Sequence, residues 1–256
     1  RLSQLKEMGI DPQKVNQAQL CWRKNPEVFL NNFFHTRNWS KQIEVANAVA
    51  SYKKTAVSSG NTVGKSHIAA KIALWFLISH TPSKVITTAP TANQIENILW
   101  KEIASLYNKS KIPIGGILLQ TELKINPDWF AIGISTDDVN RMMGFHSPYL
   151  LVIIDEALGV APMIWEAIEG LHAHRILAIG NPLSPEGEFF KCFSSPEWHK
   201  IEISCLDCVR WQQTNGTIPG LVTLEWCEER AREWGVKSPL YQARVLGKFP
   251  QEGSDT

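Results

Sequence analysis

Residues 58–66, Ser-Ser-Gly-Asn-Thr-Val-Gly-Lys-Ser, constrain this chain more than any other stretch. They nearly match G-x-x-x-x-G-K-[S/T]: Gly64-Lys65-Ser66 is intact, Ser59 takes the place of the first glycine, and Gly60 stands beside it. A loop of this kind turns successive backbone N–H groups inward at a helix N-terminus, where the dipole favours phosphate. Ser59, Gly60, Asn61, Thr62, Val63, Gly64, Lys65 and Ser66 are therefore the expected nucleotide-binding residues. Lys65 reaches the β- and γ-phosphates as a point charge, and the Ser66 hydroxyl ligates Mg²⁺. The flanks agree. Residues 54–58 are β-prone, and Ser66–His80 carries a helical apolar pattern that stops at Thr81-Pro82.

A chain of 256 residues is long enough for one large domain or one domain with a small appendage. The net charge of +1 gives no electrostatic case for nucleic acid, though it leaves room for a local basic face. No apolar run reaches the roughly 20 residues of a membrane span, and no signal peptide is read at the start. The five cysteines have no framework spacing. Cys205 and Cys208 form a single C-x-x-C, so zinc held with Cys192, His199 or Cys227 is weaker than the reading as reduced intracellular thiols.

Residues 1–38 read as polar and helical, with Asp11-Pro12 and Asn25-Pro26 as N-cap and first-turn pairs opening helices near 12–23 and 26–34. From Trp39 the texture changes. Strands are expected at 54–58, 84–88, 117–125, 130–134, 150–154, 176–179 and 199–203. Helices are expected near 40–51, 66–79, 92–108, 162–170, 185–192, 223–234 and 238–246. The runs at 84–88, 150–154 and 176–179 are apolar throughout, as parallel strands covered on both faces should be. Residues 117–134 suggest a hairpin. Three units follow: a helical segment at 1–38, an ATPase core at 39–205, and a mostly helical subdomain or linker at 206–256.

Leu150–Glu156 reads Leu-Leu-Val-Ile-Ile-Asp-Glu, a buried strand that delivers two carboxylates at its C-terminal end. This is the Walker B pattern. Asp155 would hold Mg²⁺ opposite Ser66, and Glu156 would orient the attacking water. A glutamate directly after the aspartate separates hydrolysing motors from small-molecule kinases and GTPases. Residues 84–88 supply an extra strand between the two motifs. The fold class expected is α/β, a P-loop NTPase of the additional-strand, catalytic-glutamate type. It has a mostly parallel sheet flanked by helices, with helical appendages at both ends.

Three further segments carry a family resemblance. Gln42, in Trp39-Ser40-Lys41-Gln42, resembles the adenine-reading glutamine of superfamily-2 helicases and viral packaging motors; the plain alternative is a helix-surface glutamine. Thr87–Gln94 is similar to helicase motif Ia. Ile179-Gly180-Asn181-Pro182 resembles motif III, with Asn181 as the γ-phosphate sensor that couples hydrolysis to movement. With the tail Trp234–Tyr241 and Arg244–Pro250, residues 36–256 resemble the N-terminal ATPase of the large terminase subunit of tailed double-stranded-DNA bacteriophages.

That resemblance implies a motor that hydrolyses ATP with Mg²⁺ and drives double-stranded DNA into a procapsid in the host cytoplasm. It also implies a portal protein and a small terminase subunit as partners, no membrane, and a homo-oligomeric ring when assembled or a monomer when isolated. The family's nuclease domain would follow Pro250, so no DNA cleavage is expected of this chain.

One departure stands out: Asn61 occupies a loop position where many relatives carry arginine. Charge for the transition state should then arrive from a neighbouring subunit, and Arg141 best matches that trans finger. Its alternative is a surface or DNA-facing residue. Among whole-chain alternatives, a superfamily-2 helicase or translocase would need a second α/β domain, for which the residues after 182 are too few. A degenerate nucleotide-binding scaffold would not need Lys65, Ser66, Asp155 and Glu156 intact.

Overall fold

The computed structural model describes residues 12–135 and 144–251. Arg141 and Asp11 lie outside them. Two helices, α1 (Pro12–Lys24) and α2 (Pro26–Phe33), lead into α3 (Ser40–Ser51), β1 (Lys54–Ser59) and α4 (Lys65–Ser79). Asn25 precedes α2 as expected, but its side chain makes no cap. It turns back and donates to the Cys21 carbonyl instead. Next come β2 (Lys84–Thr88), a helical turn (Ala92–Gln94), a π-helical stretch (Ile95–Trp100) and α5 (Lys101–Asn108). β3 (Ile117–Leu118), β4 (Glu122–Asn126) and β5 (Trp129–Gly133) follow, then β6 (Leu150–Asp155), α6 (Pro162–Gly170), β7 (Arg175–Gly180), α7 (Gly187–Ser194) and β8 (His199–Ile203). Three helices close the described chain: α8 (Cys205–Asn215), α9 (Leu224–Trp234) and α10 (Pro239–Arg244).

The strands form one sheet in the order β3-β4-β5-β2-β6-β7-β1-β8. It is parallel from β5 to β8 and antiparallel through β3, β4 and β5. Period-two alternation divides each central strand between two cores. On β6, Leu151 and Ile153 face the core shared with α4, while Leu150, Val152 and Ile154 face the core shared with α6 and α7. Both sets are buried, so the strand reads as continuously apolar.

Three sequence expectations change here. The run 117–125 is two strands rather than one, and with β5 it makes a three-stranded meander in place of a hairpin. The extra strand between the phosphate-loop strand β1 and the Walker B strand β6 is β7, not residues 84–88; β2 lies on the far side of β6. Helix α8 was not anticipated. Its apolar residues are dispersed, and its Cys205, Cys208 and Val209 are buried in the same core as α4.

Parallel order places the C-terminal ends of β5, β2, β6, β7, β1 and β8 on one edge. That edge carries the loop after β1, Asp155-Glu156 after β6 and Asn181 after β7.

Candidate nucleotide site

The loop after β1 is held open by its carbonyls. Thr62 O accepts from Val222 N at 2.9 Å, Val63 O from the Trp39 indole N–H at 3.0 Å, and Gly64 O from the Gln42 amide at 3.1 Å. In a trans peptide the N–H points opposite to the C=O. Three outward carbonyls therefore aim the N–H groups of Val63, Gly64 and Lys65 into the loop. Helix α4 adds to them. Its first i→i−4 bond is Ile68 N–H to Gly64 O, which leaves the Lys65, Ser66 and His67 amides without helical partners. This is an anion cradle on a helix N-terminus. Gly64 sits at φ 86°, and a Cβ there would collide with the Gln42 amide. Thr62 is also left-handed, at φ 57°.

The first part of the loop behaves differently. Gly60 N–H donates to Ile203 O at 2.9 Å and Asn61 N–H to Arg244 O at 2.7 Å. These two amides, expected from sequence to meet phosphate, tie the loop to β8 and α10. A Cβ on Gly60 would lie 2.5 Å from Cys205 Sγ. Ser59 is buried, and its hydroxyl donates to the Gly60 carbonyl.

Inside the cradle the chemistry-bearing side chains meet. Lys65 Nζ donates to Asn181 Oδ1 at 3.0 Å and lies 3.6 Å from Glu156 Oε1. Ser66 Oγ donates to Asp155 Oδ2 at 3.2 Å. Asn181 Nδ2 donates to Ser59 O at 2.6 Å and to Asn61 Oδ1 at 3.1 Å, so with its Lys65 contact this one side chain touches both parts of the loop. Burial, and next the Glu156 carboxylate, push Asp155 up to about 6 against the pull of Lys65. Glu156 has a left-handed backbone at φ 47°, a conformation that costs on the order of 1–3 kcal/mol for a non-glycine residue. The Ser66 hydroxyl and Asp155 carboxylate are neighbouring hard oxygen donors, a set suited to Mg²⁺ with water completing its shell.

Gln42 is buried at the edge of the cradle, its Oε1 accepting from Trp39 N–H and its amide donating to Gly64. It lines a cleft of about 360 Å³ with Thr36, Arg37, Gly64, His67, Glu102 and the segment Ile218–Leu221. Arg37 lines this cleft, whereas Arg175 is bound to the Val49 and Ala50 carbonyls and Arg210 pairs with Asp207 on α8. Sequence reasoning missed Trp39, Ile203, Val222 and Arg244 as supports of the loop, because each acts through a backbone group or from far along the chain. All five cysteines are free. Among the described residues no group of three or more His, Cys, Asp or Glu could hold a metal ion, and no helix is long and apolar enough to cross a membrane.

No family model matches the chain. A curated relative, "Probable terminase, large subunit" of Enterobacteria phage P7, is 25% identical over 242 residues, 86% of this chain and 47% of the relative. The chain thus spans about half the length of the curated relative it matches. The large-terminase ATPase domain of Thermus phage P74-26 superposes with a TM-score of 0.59 at 16% identity, over 80% of this chain and 92% of that one. The large terminase of a second, thermophilic bacteriophage gives 0.64 at 11% identity, over 84% and 54%. The fold is that of a phage large-terminase ATPase domain. In this terminase fold the loop after β1, Asp155-Glu156 and Asn181 share the strand-end edge that the P-loop architecture reserves for ligands.

Proposed function

We propose that this chain is the ATPase motor domain of a phage DNA-packaging terminase. The convergence of Lys65 and Ser66 with Asp155, Glu156 and Asn181 in one cradle carries the reading. The large terminase of the thermophilic bacteriophage has been solved with ADP and with ATP-γ-S, which supports a nucleotide as the ligand. The triphosphate lies on the N–H groups of residues 63–67, with Lys65 on the β- and γ-phosphates. Bound Mg²⁺, held by Ser66 and Asp155, would neutralise charge on the phosphates. Glu156, released from Lys65 as phosphate takes its place, orients a water for in-line attack. Asn181 senses the γ-phosphate, because it already touches Lys65 and both parts of the loop. Gln42 reads adenine. Its Oε1 retains a lone pair and its amide a second hydrogen, and both are near the cleft.

The substrate moved is double-stranded DNA, and the partners are a portal protein, a small terminase subunit and further copies in a ring, in the host cytoplasm. Arg141 serves the neighbouring copy's site. Phosphate release from ATP and Mg²⁺, with and without double-stranded DNA, tests this reading. Turnover is expected, with Lys65→Ala and Glu156→Gln about a hundredfold or more slower. Absence of turnover at high protein concentration, with or without DNA, would sink the assignment. Full activity in Arg141→Ala would sink the finger alone.

A further inference from the structure

The phosphate chemistry leaves one polar cluster in the cleft unused. His67 follows Ser66 in the first turn of α4. Its Nδ1 lies 2.5 Å from Glu102 Oε1, and its Nε2 lies 3.2 Å from Thr36 Oγ1. The His67 and Glu102 side chains are 25% and 35% exposed, so the pair is reachable. Thr36, His67 and Glu102 line the same cleft as Gln42 and Gly64. A nucleotide with phosphates at residues 63–67 and its base at Gln42 must carry its sugar through what lies between them.

Glu102 is well placed for that sugar. Helix α5 anchors it through Ile103 and Leu106, which follow it in the helix and are buried. The π-helical stretch ending at Trp100 widens the helix just before it and sets the phase of everything that follows. Its carboxyl is held below the usual range, first by the hydrogen bond from His67 and further by the charges of His67, Lys71 and Lys109. A carboxylate has about four acceptor positions, and the described contact with His67 uses one. Vicinal hydroxyls are a natural complement to the rest, as in other nucleotide sites where an acidic residue grips the ribose.

We infer that Glu102, braced by His67 and Thr36, accepts hydrogen bonds from the ribose hydroxyls, so that the site takes ribonucleoside triphosphates in preference to 2′-deoxyribonucleoside triphosphates. This rests on the nucleotide-binding reading above. The competing account is a purely structural staple tying residues 34–38 to α4.

Isothermal titration of the whole chain with ATP, 2′-deoxyATP and 3′-deoxyATP separates the two without a label on the sugar. The wild type should bind 2′-deoxyATP about tenfold more weakly than ATP, the size of one hydrogen bond to a charged acceptor. Glu102→Ala should bind both at the weaker level. Glu102→Gln, which keeps the shape, should shrink the ratio to about threefold and guards against loss of folding in the alanine variant. Equal affinities for all three nucleotides in the wild type, or an unchanged ratio in either folded variant, overturns the inference alone. Binding of none of the three overturns the nucleotide reading and this inference together.

Discussion

Ser59–Asn61 and Thr62–Ser66 belong to one loop, yet they are fixed to the protein by opposite ends of their peptide groups. In the first part the amides point outward, to Ile203 O and Arg244 O. In the second part the carbonyls point outward, to Val222 N–H, the Trp39 indole and the Gln42 amide. Because C=O and N–H oppose each other across a trans peptide, only the second part can offer donors to an anion. The first part acts as a hinge pin. Strand β8 and helix α10 grip it through the Ile203 and Arg244 carbonyls. The residues after β8 touch both parts, Arg244 through its carbonyl on the first and Val222 through its N–H on the second.

The largest effect should come from exchanging the two glycines. Gly64→Ala puts a Cβ against the Gln42 amide at a backbone φ of 86°. Nucleotide affinity should fall about a hundredfold or more, since both the turn and the amide directions are lost. Gly60→Ala meets Cys205 Sγ at 2.5 Å and Val245 O at 2.8 Å. It should cost about 1–3 kcal/mol of stability in urea unfolding, as overpacking does, with nucleotide affinity within about threefold of wild type. Equal losses of affinity in both variants would erase the distinction between the two parts.

Local signals explain what was legible. The bounds 84–88, 199–203, 40–51 and 162–170 agree with the structure to the residue, because apolar runs there stop at proline, serine or glycine punctuation. Lys65, Ser66, Asp155, Glu156 and Asn181 were legible because each belongs to a short motif, the first two opening a helix and the others closing a strand. The split between the two parts of the loop was not. It depends on Trp39, Ile203, Val222 and Arg244, whose contacts are main-chain bonds or an indole N–H that no spacing announces. Strand order was hidden for a similar reason. β7 follows β6 in sequence, and only the pairing of β1 with β7 shows that it intervenes. Helix α8 lacks a clean apolar stripe, its buried Cys205, Cys208, Val209 and Gln212 mixing thiols with an amide.

Trp39→Phe sharpens the comparison from the carbonyl side. Trp39 is 1% exposed, and its indole is the donor to Val63 O. The phenyl ring fills most of the space but leaves that carbonyl without its partner, at a cost of about 1–3 kcal/mol. If outward carbonyls hold the amides inward, ATP affinity should drop about tenfold. The matched change on the other part, Cys205→Ser, should leave affinity near wild type, because a serine hydroxyl can still donate to Asn61 O where Sγ does. Titration of ATP against both variants checks this, and a larger loss in Cys205→Ser would reverse the roles assigned to the two parts.

The smallest effect concerns what lies under the cradle. Lys71, on the helix that carries the second part of the loop, is 0% exposed, with Nζ donating to Asn38 Oδ1 at 2.6 Å. Burial lowers its pKa to about 7, only partly opposed by Glu102. Between about pH 7 and its unfolded value near 10.5, the unfolded chain binds a proton that the native chain does not, so stability rises with pH across that window. The buried thiols work the other way. Burial pushes Cys192 and Cys208 up to about 12, so above their unfolded value near 9 they erode stability as pH rises. The clean interval is therefore about pH 7 to 8.5, where the gain should be of order 1 kcal/mol. Urea midpoints should climb across it in the wild type and stay level in Lys71→Met. Because the first part of the loop is anchored to β8 and α10 instead of α4, Gly60→Ala should keep the wild-type pH slope. Loss of that slope in Gly60→Ala would mean that the two parts are not independently supported.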